Sequence, residues 1–471
     1  MSIISDNRLV RPLALALAVA ASLGLSAEAL AAKGSYILTT AGDTLPKGIE
    51  RQIRNAGGHV DRLIPEIGIA VVSADDAGFA ANAAKIRGVS AVLPNLTVRW
   101  IQPIENVALG ADFGNPPASG DDDRFFDLQW GHDAVDAPEA WALGYRGAGV
   151  RVAVLDGGFD LDHPDLAPNI NLALSMDFTG EGLQYGIADT FSHGSHTAGT
   201  IAAADNGIGS IGVAPEAELL LVKVLGDGGS GSFADVISGI VYAAANDADV
   251  ISMSLGATLQ RRGGCEYDDD GNPIECYNGG DVSGLITAVD KATTYAYQHG
   301  ATVIAAAGND SLDFNHTADV IHTPGNGPHV ISISATAPVG WGVDPAADLD
   351  NLASYSNYGT SGIDFAAPGG DYSYAFVDPD QLCTVAGLTR LCFVFDYVFS
   401  TGNGSWYWSV GTSMATPHAA GVAAIIIGKN GGSMKPAQVE AALRASADDL
   451  GKPGNDAVSG AGRVNAYNAV Q

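Results

Sequence analysis

Six apolar runs of strand length, interleaved with helical stretches, constrain this 471-residue chain more than any other feature. They are GVRVAVLD, AELLLVKVLG, DVISMSLG, ATVIAAAGN, HVISISATA and IDFAAPG, and the helical stretches begin near His193, Ser232, Val282 and Ser413. A strand that is apolar on both faces cannot turn either face to water, so it belongs in a sheet covered by helices on both sides. The pattern predicts an α/β fold of three layers around a mostly parallel sheet. In such sheets the binding crevice lies beyond the carboxyl ends of the strands. Asp156 and Asn309 end two of these strands, and His193 and Ser413 begin two helices, so all four should meet at one edge.

Charge and termini narrow the functional classes. A net charge of −30 argues against nucleic acid, because phosphate binding needs a basic surface. Residues 1–102 hold 10 Lys/Arg against 8 Asp/Glu, and the remainder holds 13 against 45. The early segment can therefore dock on the acidic remainder with electrostatic help. Arg8 and Arg11 precede the apolar run PLALALAVAASLGL, and Ala-x-Ala sites end at Ala29 or Ala31. This reads as a signal peptide over 1–31, since the run is short for a spanning helix; a membrane anchor is the alternative. Export makes disulfides chemically accessible. Cys265/Cys276 and Cys383/Cys392 form two close pairs; sequence permits three connectivities and proximity favours the nearest-neighbour one.

Three dense motifs carry chemistry. VAVLDGGFDLDHPDL (152–166) holds Asp156, HGSHTAGT (193–200) holds His193, and GTSMATPHAAG (411–421) holds Ser413 at the start of a small-residue helix. Asp, then His, then Ser is the chain order of the subtilisin triad. The sequence resembles the subtilisin-like serine proteases, and the resemblance implies a secreted endopeptidase acting on proteins and peptides. It assigns Ser413 as nucleophile, His193 as general base then acid, and Asp156 as the group that orients it. A serine hydroxyl needs such an adjacent base, and imidazole titrates in the right range. The Ser413 N–H and the Asn309 carboxamide supply the oxyanion donors in this reading. Two positions depart from the family pattern: Gly157-Gly158 replaces a Thr/Ser-Gly pair, and Thr197 stands where Val is common. A zinc reading of His193 and His196 lacks a third ligand at helical spacing. The chain also lacks the G-x-S-x-G elbow of esterases.

The resemblance implies further parts. Ser254-Leu255-Gly256 would pair with the substrate backbone by strand addition. Ala305, Ala306, Ala307 and Gly308 would wall the specificity pocket, leaving room for a large apolar side chain. Asp310 beside it would either attract Lys or Arg or stand as a solvated turn residue. A structural calcium would take Asp165, Asn206 and the carbonyls of Ala204, Ile208 and Ser210. A further ligand near the mature N-terminus falls at Phe126, so Asp127 or a neighbour must substitute. The alternative is an Asn-Gly turn without metal. The acidic CEYDDDGNPIEC loop reads as a surface loop rather than a second ion site. Residues 32–102, with roughly βαββαβ periodicity, resemble an inhibitor-type propeptide, α+β in class, that would occupy the cleft and be cut off. Residues 103–124 read as the linker with the processing site, and 125–471 as the catalytic domain, expected to be a monomer without stable membrane association.

Overall fold

All six apolar runs become strands of one sheet. The computed structural model describes residues 34–109, 121–267 and 273–471, so the expected signal peptide and residues 110–120 of the expected linker lie outside it. Across the sheet the order is Asn351–Leu352, Val330–Ala337, Thr302–Ala306, Val250–Met253, Arg151–Asp156, Glu218–Lys223 and Met176–Asp177, with Phe365–Pro368 also beside Val330–Ala337. Every pairing is parallel except that of Asn351–Leu352. From Arg151–Asp156 the chain reaches Glu218–Lys223 on one side, then returns to Val250–Met253 on the other. The strand order therefore reverses at Arg151–Asp156, which places the crevice at the end of that strand.

Alternate strand residues feed two cores. Val152 and Val154 pack in one cluster with Ala198 and Ile201 of the His193–Ala202 helix and Ala419 and Val422 of the Thr412–Lys429 helix. Ala153 and Leu155 pack in the other with Ile237 of the Phe233–Ala245 helix and Leu285 and Val289 of the Gly279–Gln298 helix. Side chains alternate faces with period two, so Asp156 inherits the face of Val154 and points toward the first pair of helices. Truncating a core residue such as Leu155 to alanine should cost about 2–5 kcal/mol.

Residues 34–94 form a smaller unit. Its strands Gly34–Thr40, His59–Ile64, Ile69–Ala74 and Val89–Pro94 make an antiparallel sheet, with helices Ile49–Asn55 and Phe79–Ala83 in the connections. Leu38, Val72 and Phe79 close a core with its own helices. Ile37, Val71 and Leu93, on the opposite face, join the core of the Gly279–Gln298 helix. The sheet is thus covered on both faces, once by its own helices and once by the larger body.

Pro417 lies inside the Thr412–Lys429 helix, in its second turn. Its missing N–H frees the carbonyl of Ser413, and the hydroxyl of Ser254 donates to that carbonyl at 2.8 Å. Residues 371–409 add two hairpins, Leu382–Val385 with Leu388–Leu391 and Val398–Thr401 with Trp406–Ser409. Disulfides join Cys265 to Cys276 and Cys383 to Cys392.

Candidate active site

Ser192 caps the His193–Ala202 helix, its hydroxyl accepting from the N–H of Ser195, and so fixes where His193 begins. Asp156, fully buried, faces that first turn. His193 Nδ1 lies 2.8 and 2.9 Å from the two Asp156 carboxylate oxygens. The carboxylate can only accept, so Nδ1 carries a proton, which in the neutral imidazole leaves Nε2 its lone pair. Nε2 is buried and has no hydrogen-bond partner among the described residues. Asp156 is held from two further directions, by the N–H of Gly157 at 2.7 Å and the hydroxyl of Thr197 at 3.2 Å. Both departures from the family pattern therefore touch the carboxylate, and Thr197 adds a hydroxyl that valine lacks, shared between Asp156 and the carbonyl of Gly194 at 3.1 Å.

Ser413 sits in the first turn of its helix, where a backbone N–H has no intrahelical acceptor. Its hydroxyl donates to the carbonyl of Ser254 at 3.0 Å, so reaching His193 requires rotation of the side chain. Asn309 presents its carboxamide oxygen to Thr412, which donates from its N–H at 2.9 Å and its hydroxyl at 2.7 Å. That fixes the amide with its NH2 on the open side. A methyl group placed on Gly411 would lie 3.5 Å from the Ser413 nitrogen and 3.6 Å from Asn309 Nδ2. Two donors thus converge on one small space beside Gly411.

A strand from the N-terminal part of the chain crosses this site. Thr97–Arg99 pairs antiparallel with Ser230–Ser232. Trp100 donates its N–H to Gly229 at 3.0 Å and accepts from Gly256 N–H at 3.0 Å. Its indole is buried, 4.7 Å from the Phe233 ring, and its Nε1–H reaches the Gly231 carbonyl at 2.9 Å. Beyond the site, Asn106–Ala108 pairs with Trp406–Ser409, which leads into Gly411. Between the two ladders, Ile101–Ile104 faces His193, Phe191 and Gly158 across a cavity of about 220 Å³. Sequence reading missed Ser230–Ser232, whose Gly/Ser composition reads as a turn; of Ser254-Leu255-Gly256, Gly256 donates its backbone N–H to this segment.

Residues 147–462 match the model of the subtilase family. The chain belongs to that family. It is a subtilisin-like serine endopeptidase, a hydrolase of peptide bonds. Thermitase of Thermoactinomyces vulgaris is 34% identical over 352 residues, spanning 74% of this chain and 98% of that protein. Subtilisin Savinase of Lederbergia lenta is 35% identical over 345 residues, spanning 73% and 99%. In fold, the chain resembles the epidermin leader peptide processing serine protease of Staphylococcus aureus, with a TM-score of 0.71 at 21% identity, covering 93% of this chain and 98% of that one.

The subtilase's expected calcium residues lie together. Asp165 Oδ2 accepts from the Ser210 N–H at 2.8 Å and the Trp406 Nε1–H at 2.7 Å, while its buried Oδ1 has no partner among the described residues. Asn206 Oδ1 accepts from the Ile208 N–H at 3.0 Å, closing the Gly-containing loop after Ala204. Asp123 is an acidic group close to this loop, the Asn206 N–H pointing at its Oδ1 from 3.4 Å. Its Oδ2 is also buried without a partner among the described residues, and burial with Asp121 beside it pushes the carboxyl up to about 8. Carboxylate oxygens of Asp121, Asp122, Asp123 and Asp205 lie within 4.8 Å of one another. Orphaned, crowded carboxylate oxygens fit a hard cation with flexible coordination.

Neither histidine of the His193/His196 pair has zinc geometry. His193 is engaged by Asp156, and His196 Nε2 lies 3.1 Å from the carbonyl of Tyr407, with burial pushing its pKa down to about 3. Of the expected pocket wall, Ala305 and Ala306 end the Thr302–Ala306 strand, Ala307 donates to the carbonyl of Ile333, and Gly308 turns with φ +98°. The room foreseen between Gly256 and Gly308 is reduced by His322. A methyl on either glycine would fall 2.3 and 2.8 Å from its imidazole.

Proposed function

We propose that this subtilase is an exported, self-processed proenzyme in which Ser413 attacks the scissile carbonyl. His193 Nε2 takes the hydroxyl proton after Ser413 rotates away from Ser254, and later returns it to the leaving amine. Asp156 keeps the imidazole in the right tautomer and stabilises the imidazolium. The Ser413 N–H and Asn309 Nδ2 stabilise the tetrahedral oxyanion. The observation that carries this reading is the buried Asp156–His193 pair with Nε2 left open, beside two donors converging at Gly411. A covalent serine inhibitor should label the enzyme at Ser413 and abolish peptide hydrolysis. Ser413→Ala should lose both; hydrolysis surviving in that variant would refute the assignment.

Residues 32–102 act as the propeptide, and 125–471 as the catalytic domain. What supports this is the segment running through the cleft as a substrate would, together with the contacts of the unit behind it. Arg62 bonds Asp235 at 3.0 Å and Ser238 at 2.8 Å, and Lys291 reaches three carbonyls of the unit. The signal 1–31 is removed on export and the linker 103–124 is cut by the enzyme itself. A tethered inhibitor is held at high effective concentration, so it restrains the enzyme until it is cut and degraded. In a protease-free host, Ser413→Ala should accumulate having lost only its signal; processing at the same site would exclude self-cleavage. Asp165, Asp123 and Asn206, with the carbonyls of Ala204, Ile208 and Ser210, would hold calcium, which supplies charge neutralisation to the buried carboxylates. The product is a secreted monomer acting on proteins and peptides.

A further inference from the structure

The chain that leaves the cleft past Ser413 lies in a groove of its own. Gln102 is bonded to Asp310, next to Asn309, and Ile104 packs against the cluster that holds Met414, next to Ser413. The Gln102–Pro103 bond therefore lies nearest the nucleophile, and Glu105 is the third residue beyond it. Asn106–Ala108 then forms an antiparallel ladder on Trp406–Ser409, which Leu109 prolongs by donating its N–H to the Trp406 carbonyl at 3.0 Å. Alternation along such a ladder makes Val107 the hydrogen-bonded partner of Trp408. Val107 and Leu109 turn into the main core, Leu109 fully buried, whereas Asn106 and Ala108 are exposed. Polar groups fix the two ends. The buried Tyr397 donates its hydroxyl to Glu105 Oε2 at 2.5 Å, and the buried Ser409 hydroxyl donates to the Glu105 carbonyl at 3.1 Å. The Arg390 guanidinium donates to the Leu109 carbonyl. Both ends have firm supports: Arg390 lies in a hairpin strand tied down by Cys383–Cys392, and the Tyr397 carbonyl receives the Trp130 indole N–H at 3.0 Å.

We propose that, once processing releases residues 103–109, this groove takes the C-terminal side of a protein substrate as an added strand, with an acidic residue third after the cleaved bond and apolar residues fifth and seventh. This rests on the protease reading above and on removal of the linker. The linker is the template, and it shows what the groove accepts. Its departure leaves the edge of Trp406–Ser409 with unpaired backbone groups, which an extended peptide of any sequence can satisfy. Sequence enters through the side chains. A carboxylate can only accept, so it suits the hydroxyl that Tyr397 presents, and a charge-assisted bond is the stronger kind. The places of Val107 and Leu109 reward apolar side chains at alternate positions by burying them. A short peptide reaches none of these groups. The groove therefore makes the enzyme favour long, extended stretches of protein over small peptides.

The test uses processed enzyme prepared from the full chain, its N-terminus determined by sequencing. A processed enzyme that still carries 103–109 overturns the inference, because the groove then keeps its own strand. Two peptides share every residue up to the second after the cleaved bond, with Ala-Ile in those two places. One ends there, and the other continues Glu-Asn-Val-Ala-Leu; product masses give kcat/KM for the shared bond. The long peptide should exceed the short one by about tenfold or more, mostly through a lower KM. Replacing its Glu by Val should lower kcat/KM about three- to tenfold. N-methylation of the valine between Asn and Ala keeps the side chain, removes the ladder donor, and should abolish most of the gain. Tyr397→Phe should bring the Glu/Val ratio close to one, and Arg390→Ala should shrink the long/short ratio. Equal kcat/KM for the two peptides, or a Glu/Val ratio that persists in Tyr397→Phe, overturns the inference while cleavage itself still stands. Failure to cleave either peptide instead overturns the protease reading, and this inference with it.

Discussion

Lys291 offers the sharpest test of how the N-terminal unit is held. Its ammonium donates to the carbonyls of Thr40 at 2.9 Å, Gly42 at 2.7 Å and Ile67 at 3.2 Å, and its side chain is only 17% exposed. The Asp43 carboxylate 3.6 Å away is largely exposed and adds little. A hydrogen bond to a charged group contributes about 1.5–3 kcal/mol. In the free enzyme water solvates Lys291, and in a truncated complex water can reach part of the freed carbonyls, so the three bonds do not add fully. Lys291→Ala should then weaken binding of the unit by about 2–4 kcal/mol, or roughly 30- to 1,000-fold in inhibition constant. The assay adds a separately produced 34–102 segment to processed wild-type and variant enzyme and measures inhibition of peptide hydrolysis. If the segment folds only on binding, that cost is common to both enzymes and cancels in the ratio. Hydrolysis without inhibitor should agree within about twofold, because the contacts of Lys291 are with the unit rather than with the cleft segment. A change in inhibition below threefold would refute the reasoning, as would an equal loss of activity on substrates.

Gly411→Ala should place a methyl between the Ser413 N–H and Asn309 Nδ2, lowering kcat about 10²- to 10³-fold, comparable to losing an oxyanion donor. Steady-state kinetics with KM nearly unchanged would agree, and an active alanine variant would not. Thr197→Val removes a donor to Asp156 and should lower kcat/KM about three- to tenfold, on the order of 1 kcal/mol. An unchanged value would mean that Gly157 and His193 alone hold the carboxylate. Calcium chelation should lower the thermal midpoint by several degrees, since an ion at 100 times its Kd stabilises by about 2.7 kcal/mol. Asp165→Asn should lose most of that sensitivity in a thermal melt, and equal midpoints with and without chelator would exclude the site.

The sheet and the reacting groups were legible because local sequence determines them. Arg151–Asp156 is apolar on both faces wherever it sits, and the motifs around Asp156, His193 and Ser413 carry their chemistry in adjacent residues. The parts that escaped are those whose character is lent by distant partners. Ser230–Ser232 has no strand propensity of its own and becomes a strand only because Thr97–Arg99 lies against it. Asp123 stands in a run of three aspartates, a composition that reads as a solvated linker, yet the loop carrying Asn206 and Gly209 folds over it and leaves it 3% exposed. Phe126, on which the family's N-terminal ligand position falls, is buried in the core against the Trp141 ring. His322 is the clearest case. In VIHTPGNG it is one histidine at the end of a strand, and no periodicity marks it. Its consequence depends on Gly256 and Gly308, two glycines whose missing side chains leave the space that its ring fills. Small walls alone pointed to a deep apolar pocket; the residue that occupies the depth arrives from a third segment, and only the folded chain brings the three together.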